Sequence, residues 1–355
     1  MESLVVDAAF WRDRRVLVTG HTGFKGSWLS LWLGGLGAQV IGFSNGIPTK
    51  PSVYEDAGVG QALTDVVGDV RDRAAVCALV ARHPPEIVFH LAAQSLVRRS
   101  YTDPLETYET NVIGTANVLE ASRRVARVVV VVTSDKCYAP LSDHRPYKET
   151  DPLGGTDPYS SSKACAELVS LAYRSSFQCD GAAIASVRAG NVIGGGDWAE
   201  DRLLPDLVRG GLEDRAVPIR NPRAIRPWQH VLNPLEGYLL VAERLYEDRG
   251  FAGAWNFGPD SVDERSVLSV AGRFAVLWEV KVTTSPSEGA HPPESQILRL
   301  DSGKARDLLG WRPRWNLDEG LYRVVEWTEA YRRGDDLRRA MRDQISAHQK
   351  EALRT

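Results

Sequence analysis

Short aliphatic runs alternate with longer helix-like stretches through the first half of the chain. Val16-Leu17-Val18 is a buried-strand pattern that ends at Gly20. Leu29, Trp32, Leu33 and Leu36 then recur at helical spacing, and Gly34, Gly35 and Gly37 mark the stop. Gln39 to Phe43 reads as a second strand, Val66-Val67-Gly68-Asp69-Val70 as a third and Ile87-Val88-Phe89-His90-Leu91 as a fourth. Val128 to Val132 is a fifth and Ala183 to Val187 a sixth. Strands this continuously apolar have no wet face, which predicts a parallel sheet covered by helices on both sides. The expected fold class is α/β: a doubly wound Rossmann-type parallel sheet with a smaller mixed α/β C-terminal domain.

After Gly190 the texture changes to Gly194-Gly195-Gly196, Pro- and Arg-rich loops and fragments of uneven length. The expected division assigns 10-188 plus about 230-260 to the sheet domain and 189-229 plus about 261-330 to the smaller one. The segment 331-355 reads as a charged, helical C-terminal tail.

Composition narrows the function classes. With 355 residues, 43% of them hydrophobic and 25% charged, the chain has ample material for a core and is not a disordered polymer. Its net charge of -3 calls for neither nucleic acid nor an anionic membrane surface. Cys77, Cys137, Cys165 and Cys179 form no Cys-x-x-Cys pair, and the histidines do not cluster, so neither a disulfide framework nor a metal site is expected. Reduced thiols suit the cytoplasm. Met1 to Phe10 lacks the features of a signal peptide, and the run Val128 to Val132 falls far short of the roughly 20 residues of a membrane helix.

Gly20-His21-Thr22-Gly23-Phe24-Lys25-Gly26 is a G-x-x-G-x-x-G loop between the first strand and the first helix. Glycines there let backbone N–H groups approach a pyrophosphate, with the helix N-terminus facing its charge. The acidic residue that bonds the adenosine ribose of NAD is missing, since no Asp or Glu lies between Ala38 and Tyr54. Lys50 offers a partner for a 2′-phosphate, so the loop predicts a dinucleotide without deciding NAD over NADP. Asp69 suits either the adenine amino group or a helix N-cap.

Tyr159 and Lys163 stand at i and i+4, one helical turn apart, after the N-cap Asp157 and the N1 residue Pro158. An ammonium lowers a nearby phenol's pKa, which prepares a tyrosine to take a hydroxyl proton while a hydride leaves. The fifth strand runs into Thr133-Ser134-Asp135-Lys136, an acid/base set at the carboxyl end of a parallel strand, where ligands bind. Asn111 is expected to hold a water or a backbone carbonyl near this site, or to be structural. In the second domain Arg220, Arg223 and Arg226 near Trp228 suit a pyrophosphate. His90 and His230 read as packed residues.

The glycine loop, His90-Leu91-Ala92-Ala93, Asn111, Ser134 and the Tyr159/Lys163 pair resemble the extended short-chain dehydrogenase/reductases, the NAD-dependent epimerases and dehydratases. Gly20 to Leu29, Thr133 to Tyr138, Asp157 to Glu167, Arg188 to Trp198 and Ile225 to Val231 are similar to the nucleotide-sugar 4,6-dehydratases, the CDP-glucose branch above all. The segment Ala139 to Arg145 departs from that branch by lacking a Trp. The resemblance implies an internal redox dehydration giving a 4-keto-6-deoxy sugar through bound NAD, and a homodimer. It implies that Gly20, Thr22, Gly23, Phe24, Gly26, Asp69, Val70, Leu91, Ala92, Ala93, Asn111, Tyr159 and Lys163 hold the cofactor. Gln94, Ser134, Asn191, Arg202, Arg220 and Arg226 are implied for the nucleotide sugar.

Within the catalytic set of Ser134, Asp135, Lys136, Tyr159 and Lys163, Asp135 is the candidate acid for the C6 hydroxyl. Lys136 is the candidate C5 base, or a charged stabiliser of the enolate. Three rivals remain: a nucleotide-sugar 4-epimerase, a 4,6-dehydratase for another nucleoside diphosphate hexose, and a non-enzymatic NAD(H)-binding regulator. An epimerase has no use for the acid/base pair, and a regulator has no use for Ser134, Asp135, Tyr159 and Lys163 together.

Overall fold

A computed structural model describes residues 5–177, 179–284 and 296–352. Seven parallel strands form the central sheet: β1 (Arg15–Thr19), β2 (Gln39–Ser44), β3 (Thr64–Val67), β4 (Ile87–His90), β5 (Val128–Val132), β6 (Ala183–Arg188) and β7 (Gly253–Asn256). Their spatial order is β7-β6-β5-β4-β1-β2-β3, with the order reversing beside β1.

Alternation along the strands splits the core in two. Val16 and Val18, with Val128, Val130 and Val132, face one side. Leu17, with Val129 and Val131, faces the other. The first side is covered by α1 (Phe24–Gly35) and by a long helix later in the chain. The second is covered by the helices Arg73–Arg82 and Gly114–Ser122. Both faces are dry, as an all-aliphatic strand such as β5 requires.

Two predicted details change. The third strand ends at Val67, because Asp69 turns the chain by accepting from the Arg71 N–H at 2.8 Å. Asp69 is not the cap of the following helix, whose N-cap is Asp72, accepting from Ala74 and Ala75. The expected helical segment near the C-terminus is α5 (Leu337–Ala352), which follows α4 (Leu317–Arg333), and the gap between them carries Gly334 at φ +74°.

Between these lie α2 (Pro158–Ser176), which follows β5, and α3 (Leu232–Glu247), which precedes β7. His348 of α5 is buried, stands edge-on to Trp32 of α1, and hydrogen-bonds Asn233 of α3 at 3.1 Å. The chain's C-terminal helix is thereby tied to the sheet's cover. Between β6 and α3 the chain builds the second lobe from Leu203–Leu212 and short ladders, and completes it with Glu264–Ser266 and Val267–Trp278. Ile225–Pro227 pairs with Glu264–Ser266, and Val192–Ile193 with Gln229–His230. Both ladders run close to the carboxyl end of β6, so the second lobe faces the ends of the central strands.

Candidate active site

The glycine loop is shaped by contacts that leave no room for side chains. Gly20 has φ +74°, and a Cβ there would fall 2.7 Å from the Ala92 nitrogen. A Cβ on Gly26 would fall 2.1 Å from the Gly20 carbonyl oxygen. Gly23 caps α1 with no side-chain bond, and the first turn holds no acidic residue, so its N–H groups suit an anion. Thr22 Oγ1 donates to the Gly46 carbonyl at 2.6 Å and pins the loop to the end of β2. Leu91 and Ala92 continue from β4 and bond back to Thr19. Ala93 follows them, half-buried. This tight cradle with its uncapped helix end fits the pyrophosphate of a dinucleotide.

At the adenosine side, the end of β2 carries Ser44 in place of a carboxylate, and His21 fills the space against Gly42. His21 lies between Ser44 at 3.1 Å and Asp65 at 2.9 Å. Asp69 accepts from Asn45 and from Arg71, whose hydrogen bonds pull its carboxyl down to about 2. Val70 is buried against Gly114, with its carbonyl accepting from Asn117. Asn111 sits on a π-helical turn, donates to the Gln94 carbonyl at 3.0 Å and to Ser162 Oγ at 2.8 Å, and accepts from the Gln94 N–H. It clamps the strand after β4 to α2. Gln94 has its own amide engaged by Thr107 and Leu96, inside the fold.

The catalytic set gathers at the carboxyl end of β5. Ser134 donates to Asp135 Oδ1 at 3.0 Å, accepts from the Lys136 N–H, and hydrogen-bonds Tyr159. Burial pushes the Tyr159 phenol up to about 12, against the pull of Ser134 and then Arg202. Lys163, expected to be the main influence on that phenol, instead directs Nζ to the Val132 carbonyl at 3.3 Å. Burial brings Lys163 down to about 8, while Glu167 one turn on pulls it up.

Asp135 is the buried acid of the set. Burial raises its pKa, opposed by Lys136, Ser134, Arg226 and Lys25. Its Oδ2 is buried without a hydrogen-bond partner in the protein and rests against Gly190, where a Cβ would fall 1.7 Å away. Lys25 was not singled out from the sequence, where it is one of the variable positions of the glycine loop. Burial lowers it to about 8, and the charges of Arg202, Asp135, Lys163 and Asp197 act on it, which adds it to the candidate site.

On the second lobe, Arg226 is buried, bonds the Ile225 carbonyl at 2.9 Å, and acts on Asp135. Arg202 donates to Asp197 at 3.2 Å and to Ser95 at 3.3 Å. Arg220 donates to Asp201 and Asp206. Asn191 follows β6 with φ +41°, its carbonyl accepting from Gln229. His90 lies between Thr19 at 2.7 Å and Thr115 at 3.1 Å, and burial lowers it to about 3. His230 is likewise buried, edge-on to Trp28 and Trp315, as packed residues should be.

Beneath the set, Glu167 and Arg188 form a buried ion pair at 2.8 Å. Burial pushes Glu167 up, but bonds from Arg188, Ser186 and Thr133 outweigh it and hold the carboxyl below its usual range. Among the described residues no group of His, Cys, Asp or Glu is arranged to hold a metal ion, and no helix is long and apolar enough to cross a membrane.

The chain is similar in sequence and in fold to known proteins. The chain is 48% identical to the CDP-glucose 4,6-dehydratase of Salmonella typhimurium, over 97% of this chain and 99% of that one. The structure superposes on the dTDP-glucose 4,6-dehydratase of Bacillus anthracis in complex with NAD, with a TM-score of 0.75 at 22% identity, covering 91% and 98% of the two chains. It also superposes on the UDP-glucose 4-epimerase of Thermus thermophilus in complex with NAD, with a TM-score of 0.76 at 25% identity, covering 89% and 99%. Residues 17–324 match the profile of one family from β1 through the Tyr159/Lys163 helix and into α4, and the chain therefore belongs to the GDP-mannose 4,6 dehydratase family.

Proposed function

We propose that the protein is an NAD-dependent hydro-lyase that converts CDP-glucose to CDP-4-keto-6-deoxyglucose. The observation that carries the dehydration is Asp135, a buried carboxyl beside Ser134 with one oxygen unpaired in the protein. A 4-epimerase needs no such acid. The preference for CDP-glucose draws on the 48% identity to the Salmonella enzyme.

The chemistry supplied by bound NAD is removal of hydride from C4 and its return at C6. The chain's residues handle the protons. Tyr159, hydrogen-bonded to Ser134, takes the proton of the 4-hydroxyl. The resulting C4 carbonyl acidifies C5, and Lys136 is the base that removes that proton, a role that only its neutral amine can play. Asp135 protonates the departing C6 hydroxyl, a role favoured by a carboxyl whose pKa burial has raised. Lys163 orients the cofactor's ribose, and Arg226 with Asn191 receives the diphosphate.

Helices Pro104–Tyr108 and α2 expose Leu105, Leu168 and Leu171, at 73%, 52% and 43%. We assign this apolar face to pairing of two copies. The described cysteines are all free, which suits a reducing compartment, and we place the enzyme in the cytoplasm.

The test is incubation of the NAD-loaded protein with CDP-glucose, UDP-glucose, dTDP-glucose and GDP-mannose side by side. A 4-keto-6-deoxy product from CDP-glucose first and fastest is expected. Epimerised hexose without a ketone, or a faster reaction with another nucleotide, overturns the reading.

A further inference from the structure

An ion bridge among Arg98, Asp201 and Arg220 is not used by the steps above. Arg98 lies on the short helix Val97–Thr102, after β4, and its Nη1 donates to Asp201 Oδ1 at 3.0 Å. The same oxygen accepts from Arg220 Nη1, and Arg220 Nη2 donates to Asp206 at 2.8 Å. One carboxylate oxygen therefore joins guanidinium groups from the two lobes. Asp201 has φ +60°, a left-handed conformation that aspartate adopts more readily than most residues. The adjacent Arg202 turns inward to Ser95 and Asp197, and its charge acts on Tyr159. The bridge is thus one residue away from a group that faces the reacting tyrosine.

We propose that Asp201 stands in for the substrate diphosphate, and that Arg98 is a diphosphate ligand contributed by the sheet domain. On entry of the nucleotide sugar, Arg98 and Arg220 exchange the shared carboxylate oxygen for phosphate oxygens. This rests on the reading of the substrate as a nucleoside diphosphate hexose. Two guanidinium groups converging on one oxygen is an arrangement that suits phosphate, which offers more oxygens and more charge than a carboxylate. The side chains of Arg98 and Asp201 are 34% and 37% exposed. Ion pairs this open to water are weak, so the exchange costs little. The bridge keeps two like charges ordered near each other until the ligand arrives, and it places a contact to the diphosphate on each lobe.

The experiment is calorimetric titration of the NAD-loaded enzyme with CDP, for the wild type, Arg98→Ala and Asp201→Asn. Arg98→Ala should weaken CDP binding by about fivefold or more, and Asp201→Asn should tighten it, because the internal competitor is gone. Smaller loss in Arg98→Ala, or unchanged or weaker binding in Asp201→Asn, overturns the proposal. Thermal melting of both variants confirms that the fold is intact, as their exposed positions lead one to expect. Wild-type turnover of CDP-glucose, run alongside, separates this inference from the function it rests on. Turnover with unaltered binding in Arg98→Ala overturns the bridge alone; no turnover of any nucleotide hexose overturns the function and the bridge with it.

Discussion

Gly190→Ala asks whether the Asp135 carboxyl must lie where the fold holds it. A Cβ on Gly190 would fall 1.7 Å from Oδ2 and 2.3 Å from Cγ of Asp135, well inside contact distance. Gly190 is not among the residues with positive φ, so alanine fits the backbone, and the three atoms nearest the added Cβ all belong to the Asp135 carboxyl. Asp135 must swing away and lose the Ser134 bond of 3.0 Å. Overpacking costs about 1–3 kcal/mol, and a lost hydrogen bond about 0.5–1.5 kcal/mol more. A domain stability of about 5–15 kcal/mol absorbs most of that range, so the variant should fold.

Catalysis should suffer far more. A positioned general acid contributes roughly 10²–10⁴-fold. Formation of the 4-keto-6-deoxy product should therefore slow by at least about 100-fold. Oxidation at C4 depends on Tyr159 and Ser134 and should survive, so reduced cofactor should accumulate in a single turnover. Rapid-mixing absorbance of the nicotinamide, with product analysis at the end, reads both steps. A folded variant with wild-type product formation would refute the placement of the acid. So would a variant in which C4 oxidation fails as badly as dehydration.

Three further outcomes are expected. Lys163 titrates at about 8 in the fold, against about 10.4 when unfolded, so the unfolded state binds more protons between those values. Stability should rise with pH across that window while kcat/KM falls through about 8, and urea denaturation of wild type against Lys163→Met isolates the stability part. Glu167→Gln strips the charge from a pair whose side chains are each 3% exposed, and urea denaturation should show a loss of about 3–5 kcal/mol. The same variant removes the upward pull on Lys163, so the alkaline limb of kcat/KM should move to lower pH. Lys25→Met removes one of the charges that pull Asp135 down, so the limb of the kcat profile assigned to the acid should move to higher pH; an unmoved limb assigns it to another group.

The parts of this site that are contiguous in the chain were legible in it. A glycine loop between strand and helix, and a tyrosine one turn before a lysine, each declare themselves through spacing within a single element. The groups that set the chemistry are paired across the fold, and no local pattern carries them. Gly190 follows β6 and makes room for a side chain that follows β5. Arg98 and Asp201 are 103 residues apart in the chain and meet only in the fold. Lys25 looked like a spacer because spacing shows that a loop needs glycines, without showing where the residues between them point. The local sequence fits Asp69 to the adenine amino group or to a helix N-cap equally well; the cap is Asp72, directly before Arg73, and Asp69 is held by Arg71 and Asn45.

Two carboxyl groups flank the end of β5, both buried, and their contrast explains how one can act as an acid. Glu167 accepts from Thr133, from Ser186 and twice from Arg188, enough bonds to keep it ionised despite its burial. Asp135 receives one hydrogen bond, from Ser134, and leaves Oδ2 without a protein partner. Burial alone favours the protonated form, and a carboxyl held that way gives up its proton with difficulty. The charges of Lys136, Arg226 and Lys25 oppose burial without bonding the carboxyl into a fixed ion pair. With fewer bonds, the Asp135 carboxyl is raised where that of Glu167 is lowered. A group that gives a proton to a leaving hydroxyl and recovers it each cycle cannot be locked in its ionised form as Glu167 is. The space beside Gly190 then has a purpose beyond packing: it lets the under-bonded oxygen stay buried.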